Sequence, residues 1–314
     1  MKRRYVLGAV LGIGVLVVGG MYWQWRQPPS GYPQFESSDI DESSGLTASR
    51  RYPNVFWTHN DSGDDPRIFA VEASGRLRGV FEVDGATHVD WEAITADLAG
   101  NLYIGDFGNN DNERRDLTVY RVPEPTLSTD GGVTRGRIRS DRQIRFYYPE
   151  QQRFPDPDAR NFDAESLFWA PHPATGEGTL YLLTKHRSDT RTVLYRFDSV
   201  TGGSLLPVTR VGAFDVGGLD HSFGGMVTGA DATPDGRRIA VVTYHALFIF
   251  GRPPKGDDYF TEPRARIDLD AEVVKQVEAV AWRDGRLLLT NEQGALFEIE
   301  APEQQRMFPM GDPP

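Results

Sequence analysis

A short phrase that recurs five times along the chain constrains the fold more than any other feature. Each copy is followed by a polar turn, an apolar strand and a further closing strand. The copies are Ser44-Gly45-Leu46, Glu92-Ala93-Ile94, Glu165-Ser166-Leu167, Thr228-Gly229-Ala230 and Glu278-Ala279-Val280. Self-similarity at a spacing of roughly 40–50 residues is typical of a β-propeller or another repeat array. The sequence therefore predicts repeated antiparallel strand units arranged around a common axis.

Fourth strands complete the first four units, which end in LRGVFEV, RQIRFYYP, PVTRVGAFDV and RARIDLD. Nothing comparable follows the fifth unit, so we expect residues 32–40 (YPQFESSDI) to supply its last strand and close the ring. The predicted fold is all-β, a single β-propeller of five four-stranded blades. A six-bladed propeller is the alternative, if one of two insertions, residues 126–141 or 149–161, contains a degenerate unit.

The N-terminus predicts export of the rest of the chain. Lys2-Arg3-Arg4 precede an uncharged run of 19 residues from Tyr5 to Trp23. Basic residues stay on the cytoplasmic side, and a run of this length can span a bilayer. We predict a transmembrane helix as membrane anchor in residues 1–26, a linker in 27–33 and a propeller domain in 34–314. The propeller would then lie on the periplasmic or extracellular side of the cytoplasmic membrane; the alternative is a cleaved signal sequence and a periplasmic protein.

Composition excludes several classes of function. The net charge of −11 disfavours a nucleic-acid partner, because phosphate backbones require clustered Lys and Arg. The absence of cysteine excludes disulfides, thiolate metal sites and cysteine nucleophiles. We expect a monomer.

Alignment of the repeats predicts two columns of side chains along the central channel. The first column is Ser44, Glu92, Glu165, Thr228 and Glu278, and the second is His59, Asp106, Lys185, Tyr244 and Asn291, with Asn60 and Glu292 beside it. Carboxylates ~8 Å apart repel by about 2 kcal/mol per pair at an effective dielectric of ~20. A bound cation, Lys185 or a raised pKa on one glutamate would offset that repulsion.

Three interpretations of the acidic column stay open. Glutamates at strand starts can accept hydrogen bonds from the backbone of the next unit, which would make them architectural. They can instead hold a hard cation such as Ca²⁺, which prefers oxygen ligands, although the chain has no linear metal motif. They can also take part in acid–base catalysis beneath loops that contain His59, His88, His186, His221 and His245.

The motifs SGLTAS, THNDSGDD, DWEAI and IGDFGNN resemble those of an exported bacterial β-propeller group, distantly similar to phytase-like and gluconolactonase-like propellers. The resemblance covers mainly residues 40–125. Those families hold Ca²⁺ or another divalent cation near the channel mouth and hydrolyse esters, lactones or phosphates. By similarity, the metal ligands would be Asp61, Glu92, Asp106, Glu165 and Glu278. The chain departs from phytase-like sites because only Lys185, with Arg114 or Arg187, offers positive charge for a phosphate.

Two functions follow from these patterns. The first is a cation-dependent hydrolase of a small ester, lactone or phosphoester, in which the cation polarises an oxygen. Its catalytic residues would be His59 or Glu292 as base and Lys185 as a partner for an anionic group. The second is a non-catalytic envelope module that binds a protein partner or senses a ligand.

Overall fold

The computed structural model describes residues 28–156, 160–217 and 225–302. Within them the regular structure is almost entirely β, apart from an α-helix at Ala271–Val274 and a 3-10 helix at Tyr259–Thr261. No helix of this described part is long and apolar enough to cross a membrane. The predicted anchor, residues 1–26, and the first linker residue lie outside the described ranges.

The strands form five antiparallel units in chain order. The first unit contains β1 (Ser43–Ala48), β2 (Val55–Asn60), β3 (Arg67–Glu72) and β4 (Leu77–Asp84). The second contains β5 (Trp91–Ala96), β6 (Asn101–Asp106), β7 (Thr118–Pro123) and β9 (Arg142–Tyr147). Strand β8 (Thr134–Arg139) lies between β7 and β9 in the chain. The third contains β10 (Asp163–Pro171), β11 (Gly178–Lys185), β12 (Arg191–Phe197) and β13 (Leu205–Asp215). The fourth contains β14 (Val227–Ala232), β15 (Arg238–Thr243), β16 (Ala246–Gly251) and β17 (Pro263–Asp268), and the fifth β18 (Val277–Arg283), β19 (Arg286–Asn291) and β20 (Leu296–Glu300).

The first strands of the five units form a closed ring. Strand β1 packs beside β5, β5 beside β10, β10 beside β14, β14 beside β18, and β18 beside β1. Apolar clusters fill the spaces between neighbouring units, as where Trp57 and Trp91 pack together in the first and second units. This is the arrangement of a β-propeller, and it confirms the fold class that the repeat predicts.

The small middle residue of each recurring phrase reflects how closely the inner strands approach one another. A Cβ atom added to Gly45 would lie 2.7 Å from the backbone nitrogen of Ile94 in the next unit. One added to Gly229 would lie 2.9 Å from the carbonyl oxygen of Glu278. Contacts this short do not occur between relaxed atoms, so only small side chains allow the ring to close.

Each inner strand also carries a β-bulge at the same place. The pairing register with the second strand shifts between Ser43 and Gly45 in β1, and at the equivalent position in the other four first strands. The skipped residue is the first of each recurring phrase: Ser44, Glu92, Glu165, Thr228 and Glu278. A bulge leaves one residue outside the ladder and redirects its side chain. The five bulges therefore direct the first predicted column toward the central channel.

The outer strands differ from the prediction in two respects. Strand β8 lies in the insertion at residues 126–141, outside the four predicted fourth strands, and it pairs in parallel with β4 of the first unit. Strands β9 and β13 also pair in parallel and join the second and third units into one eight-stranded sheet. The four predicted fourth strands are confirmed as β4, β9, β13 and β17.

Residues 32–40 were expected to close the ring, but they meet the fifth unit only through a short contact. Gln34 forms an isolated antiparallel bridge with Ala295, and the carbonyl oxygen of Pro33 accepts a hydrogen bond of 2.9 Å from the Leu296 amide. The fifth unit has three strands among the described residues. The predicted fourth strand is thus reduced to a single bridge at the edge of β20.

Gly45→Ala should lower the free energy of unfolding by about 1–3 kcal/mol, because its Cβ would clash with the His59 ring in the same unit and with the Ile94 backbone of the second unit. The matched control is Gly136→Ala in β8, where a Cβ would lie at an ordinary 3.4 Å from Phe81 and the expected change is under about 0.5 kcal/mol. Urea unfolding of both variants measures the difference. Equal losses would show that interstrand approach does not select glycine here.

Candidate functional site

A polar cavity of about 190 Å³ opens at the end of the channel where the inner strands begin. Its lining contains one basic side chain, Lys185, and six acidic ones: Glu42, Asp61, Glu92, Glu165, Glu278 and Glu292. Below it, a hollow of only about 10 Å³, the space of about one water, lies between the recurring phrases. The cavity at the mouth is therefore the larger of the two spaces on the axis and the one with room for a ligand.

The bulges in β5, β10 and β18 bring Glu92, Glu165 and Glu278 to this cavity. The side chains of Glu92 and Glu165 are nearly inaccessible, with residue exposures of 3% and 4%. Ser44 donates a hydrogen bond of 3.3 Å to Oε2 of Glu92. The structure thus brings together the three glutamates that the repeat alignment placed in one column.

Two sets of three carboxylates meet at Glu92. One set is Asp61, Asp90 and Glu92, the other is Glu92, Asp163 and Glu165, and in each the carboxylate oxygens lie within 4.8 Å of one another. Repeat alignment missed Asp90 and Asp163. A signal for both is present, because each lies two residues before a bulge glutamate in a D-x-E sequence that occurs in two of the five repeats.

The side chains of Glu92, Glu165 and Asp90 are poorly solvated, and this raises the pKa of each carboxyl group. Burial, reinforced by the charge of Glu165, raises the pKa of Glu92 well above its usual range. Burial also raises the pKa of Glu165 to about 7, against the opposing effect of Lys185. The pKa of Asp90 rises to about 6, mainly through burial and then through Asp61. The protein alone therefore does not fully ionise this cluster at neutral pH.

Two basic residues next to the cluster are already paired. Lys185 Nζ lies 2.8 Å from Oε1 of Glu165 and 5.3 Å from the centre of the Tyr244 ring. Arg187 Nη2 lies 2.6 Å from Oδ2 of Asp163. Burial acts to lower the pKa of Lys185, but the surrounding anions, Glu165 foremost, hold it well above its usual value. The anions around Lys185 therefore favour its charged form, which suits it to bind an anionic group and not to act as a base.

His59 and Asp106 are wrongly placed by the repeat alignment, since neither lines the cavity. His59 is fully buried, its Nδ1 lies 2.8 Å from the carbonyl oxygen of Asn60, and burial lowers its pKa to about 4. Its ring packs edge-on against Trp91. Asp106 forms an ion pair of 3.0 Å with Arg114 and accepts a 3.0 Å hydrogen bond from the Asp90 amide. Asp106 thus fixes the loop that carries Asp90.

The sequence analysis placed five histidines in loops above the acidic column. None of the four that the structure describes lines the cavity. His88 stacks on Trp91 with ring centroids 4.5 Å apart, and His186 is fully buried. His221 lies outside the described residues. Glu292, by contrast, does line the cavity, as expected.

Scans of protein-family models and of curated proteins found no match to the chain. Similar solved structures include the Dos1 propeller, with 12% identity and a TM-score of 0.37 over 83% of this chain and 58% of that one. A proposed 6-phosphogluconolactonase from Bacteroides fragilis has 11% identity and a TM-score of 0.38 over 85% and 79%. Chaetomium thermophilum Sqt1, solved with the N-terminus of ribosomal protein L10, has 16% identity and a TM-score of 0.36 over 88% and 68%.

The chain spans 58% of the length of the Dos1 propeller chain. Likenesses with TM-scores this low carry no argument about the site or its chemistry. The assignment of a propeller rests on the ring of inner strands and on the order of strands within each unit.

Glu92→Gln should stabilise the cation-free protein at pH 8 by about 1–3 kcal/mol. The folded-state pKa of Glu92 lies above the usual 4.5, so the folded state binds the extra proton. It loses stability as pH rises from the unfolded pKa toward the folded one. The gain from the substitution should therefore be larger at pH 8 than at pH 5.5.

Urea unfolding in the presence of a chelator, at both pH values, measures this gain. Glu177→Gln, at an exposed turn position, is the control and should show no such difference. A Glu92→Gln variant that is destabilised, or equally affected at both pH values, would contradict a raised pKa.

Proposed function

We propose that the cavity binds a divalent cation, with Ca²⁺ as the favoured ion. The observation that carries the proposal is the meeting of two carboxylate triads at Glu92, which lines a cavity with a single basic side chain. Asp61 and Glu165, which also line the cavity, and Asp90, which belongs to a triad with Asp61, are the further ligands. Of the other ligands expected from sequence, Asp106 is paired with Arg114 and Glu278 belongs to neither triad, so the proposed set leaves both out. The ion would neutralise charge that the protein itself leaves partly protonated.

The donor set favours a hard cation. All five members of the triads offer carboxylate oxygens, which suit Ca²⁺, Mg²⁺ and Mn²⁺, whereas imidazole and thiolate ligands suit Zn²⁺ and Cu²⁺. A cavity of about 190 Å³ leaves room for the waters with which Ca²⁺ completes its shell. Because binding must displace the proton held at Glu165 and Glu92, affinity should rise as pH passes through about 7.

Calorimetric titration of the chain with Ca²⁺, Mg²⁺ and Mn²⁺ tests the site. We expect Glu92→Gln to weaken binding by about 100-fold, since it removes a ligand from both triads. Glu278→Gln is the matched control, because Glu278 lines the same cavity but belongs to neither triad. Its effect should stay under about fivefold. Absence of binding heat together with an unchanged melting temperature for every cation would reject the site.

The same site supports hydrolysis of a small ester, lactone or phosphoester as the proposed reaction. A bound cation supplies Lewis-acid polarisation of the substrate oxygen. Lys185 holds a positive charge beside the cluster and can bind developing negative charge. Of the two bases expected from sequence, only Glu292 lines the cavity, so we assign it the role of activating water.

Glu292→Gln should reduce turnover of any ester, lactone or phosphoester substrate by about 10²–10⁴-fold, the usual loss for a general base. Cation affinity should remain within a few-fold of the original, because Glu292 belongs to neither triad. A screen of chromogenic esters, lactones and phosphoesters, with calorimetry on the same samples, measures both quantities. Unchanged turnover in this variant would exclude Glu292 as the base.

A non-catalytic envelope module is the competing function. It is favoured by the pairing of Lys185 with Glu165 and of Arg187 with Asp163, which satisfies both basic groups within the protein. In that case the glutamates would stiffen the ring and its outer surface would bind a protein or report a ligand. A chain that binds cations but turns over no substrate in the screen would favour this function.

We also propose the finer features of the architecture and location. The five strand units would be the five blades of a complete propeller, distantly related to phytase-like and gluconolactonase-like propellers. The N-terminal segment would anchor a monomer in the cytoplasmic membrane with the propeller outside the cytoplasm. The acidic site would then be in contact with a compartment in which Ca²⁺ can reach the concentrations that low-affinity extracellular modules bind, with Kd of about 10⁻⁴–10⁻³ M.

A further inference from the structure

The two carboxylate triads that meet at Glu92 differ in whether the protein supplies its own positive charge. One of them, the buried triad, consists of Glu92, Asp163 and Glu165. Arg187 Nη2 lies 2.6 Å from Oδ2 of Asp163, and Lys185 Nζ lies 2.8 Å from Oε1 of Glu165. Two cationic side chains of the protein therefore already neutralise charge in the buried triad.

These contacts leave few oxygens of the buried triad for a metal ion. Both oxygens of Asp163 are engaged, since Oδ2 is paired with Arg187 and Oδ1 accepts a hydrogen bond of 2.7 Å from the Asn109 amide. Glu165 is less fully engaged, because Lys185 and Arg187 both approach it at Oε1, at 2.8 and 3.9 Å. A cation bound nearby is therefore best served by the other oxygen of Glu165.

The half-buried triad of Asp61, Asp90 and Glu92 has no comparable partner. Its carboxylate oxygens lie within 4.8 Å of one another, yet neither aspartate forms an ion pair with another described residue. Arg114, whose charge acts on Asp90, is itself paired with Asp106 at 3.0 Å. The repulsion within this triad is thus not balanced by an ion pair, and a divalent cation with a preference for oxygen ligands would balance it.

A glycine after β6 allows two oxygens of the half-buried triad to converge. A Cβ atom added to Gly108 would lie within 3.0 Å of both Oδ2 of Asp90 and Oε1 of Glu92. The Gly108 amide donates a hydrogen bond of 3.1 Å to the Asp90 carbonyl oxygen, which holds this loop beside the triad. Gly108 is not among the glycines with positive φ. The approach of the two carboxylates, and not the backbone conformation, therefore requires glycine here.

We infer that the cavity takes a single cation, which lies in the half-buried triad beside Gly108, and that Lys185 and Arg187 take the place of a second cation in the buried triad. The inference rests on the proposed function and deepens it by assigning the position and number of the ions. A second divalent ion in the buried triad would have to break two ion pairs and lie next to the cations it displaced, so repulsion disfavours it. Gly108, Lys185 and Arg187 are thus positioning residues of the cation site.

Gly108→Ala tests the position of the ion. It should weaken Ca²⁺ binding by at least about tenfold, because the methyl group separates Asp90 from Glu92 while every carboxylate is kept. The matched control is Gly212→Ala in β13, where a Cβ would lie within 3.0 Å of both oxygens of Asp258, away from the cavity. Its effect on affinity should stay under about twofold. Calorimetric titration of the full chain with Ca²⁺ measures both, and unchanged affinity in Gly108→Ala would overturn the assigned position.

Lys185→Gln combined with Arg187→Gln tests the number of ions. The bound Ca²⁺ should rise from one to two per chain, because the carboxylates of the buried triad then lack a counter-charge. The control pair is Arg121→Gln with Arg196→Gln, which removes ion pairs outside the cavity and lowers the net charge equally. It should leave one ion per chain. A cavity variant that still binds one ion would overturn the role of the two basic residues.

Failure of this inference and failure of the proposed function give different results. An unaltered chain that binds no cation would overturn both. An unaltered chain that binds two ions, or one ion with the same affinity in Gly108→Ala, would overturn the inference and leave the proposed cation site standing. Circular dichroism and the melting temperature of each variant, with and without Ca²⁺, separate loss of folding from loss of binding. Each set of substitutions tests the inference by itself if the other fails to fold.

Discussion

The close approach of five strands around one axis determines most of the rest of this structure. Because the backbones nearly touch, the residue that faces the neighbouring strand must be small, as Gly45 and Gly229 are. Because each strand bulges just before that residue, the side chain before it is turned toward the channel. Packing of the ring and delivery of Glu92, Glu165 and Glu278 to a common cavity are therefore consequences of one local geometry.

The sequence predicted what is local and repeated, and missed what depends on contacts between units. The recurring phrase was enough to place three glutamates at one cavity, because equivalent positions in a ring face the same axis. It misplaced His59 and Asp106, which lie near the ends of second strands and face neighbouring side chains instead of the channel. No local sequence pattern in β8 or β9 indicates their parallel pairing, because the partner strands are distant in the sequence.

The acidic cavity is costly to the folded protein. Two triads of carboxylates share Glu92, and burial raises the pKa of Glu92, Glu165 and Asp90, so their charged forms are disfavoured in the folded protein. Amide or apolar side chains at these positions would give a more stable folded protein. Arrangements that weaken folding in this way concentrate at functional sites, which is why we place the function of this chain at the channel mouth.

The parallel pairings at the outer edge divide the ring into unequal parts. Strand β8 attaches the second unit to the first through β4, and β13 attaches the third to the second through β9. The first three units are therefore joined at the rim as well as around the axis, whereas in the described part of the chain no parallel strand pair links the fourth or the fifth unit to a neighbour. Under mechanical load we expect the fourth and fifth units to separate from the ring before the first three separate from one another.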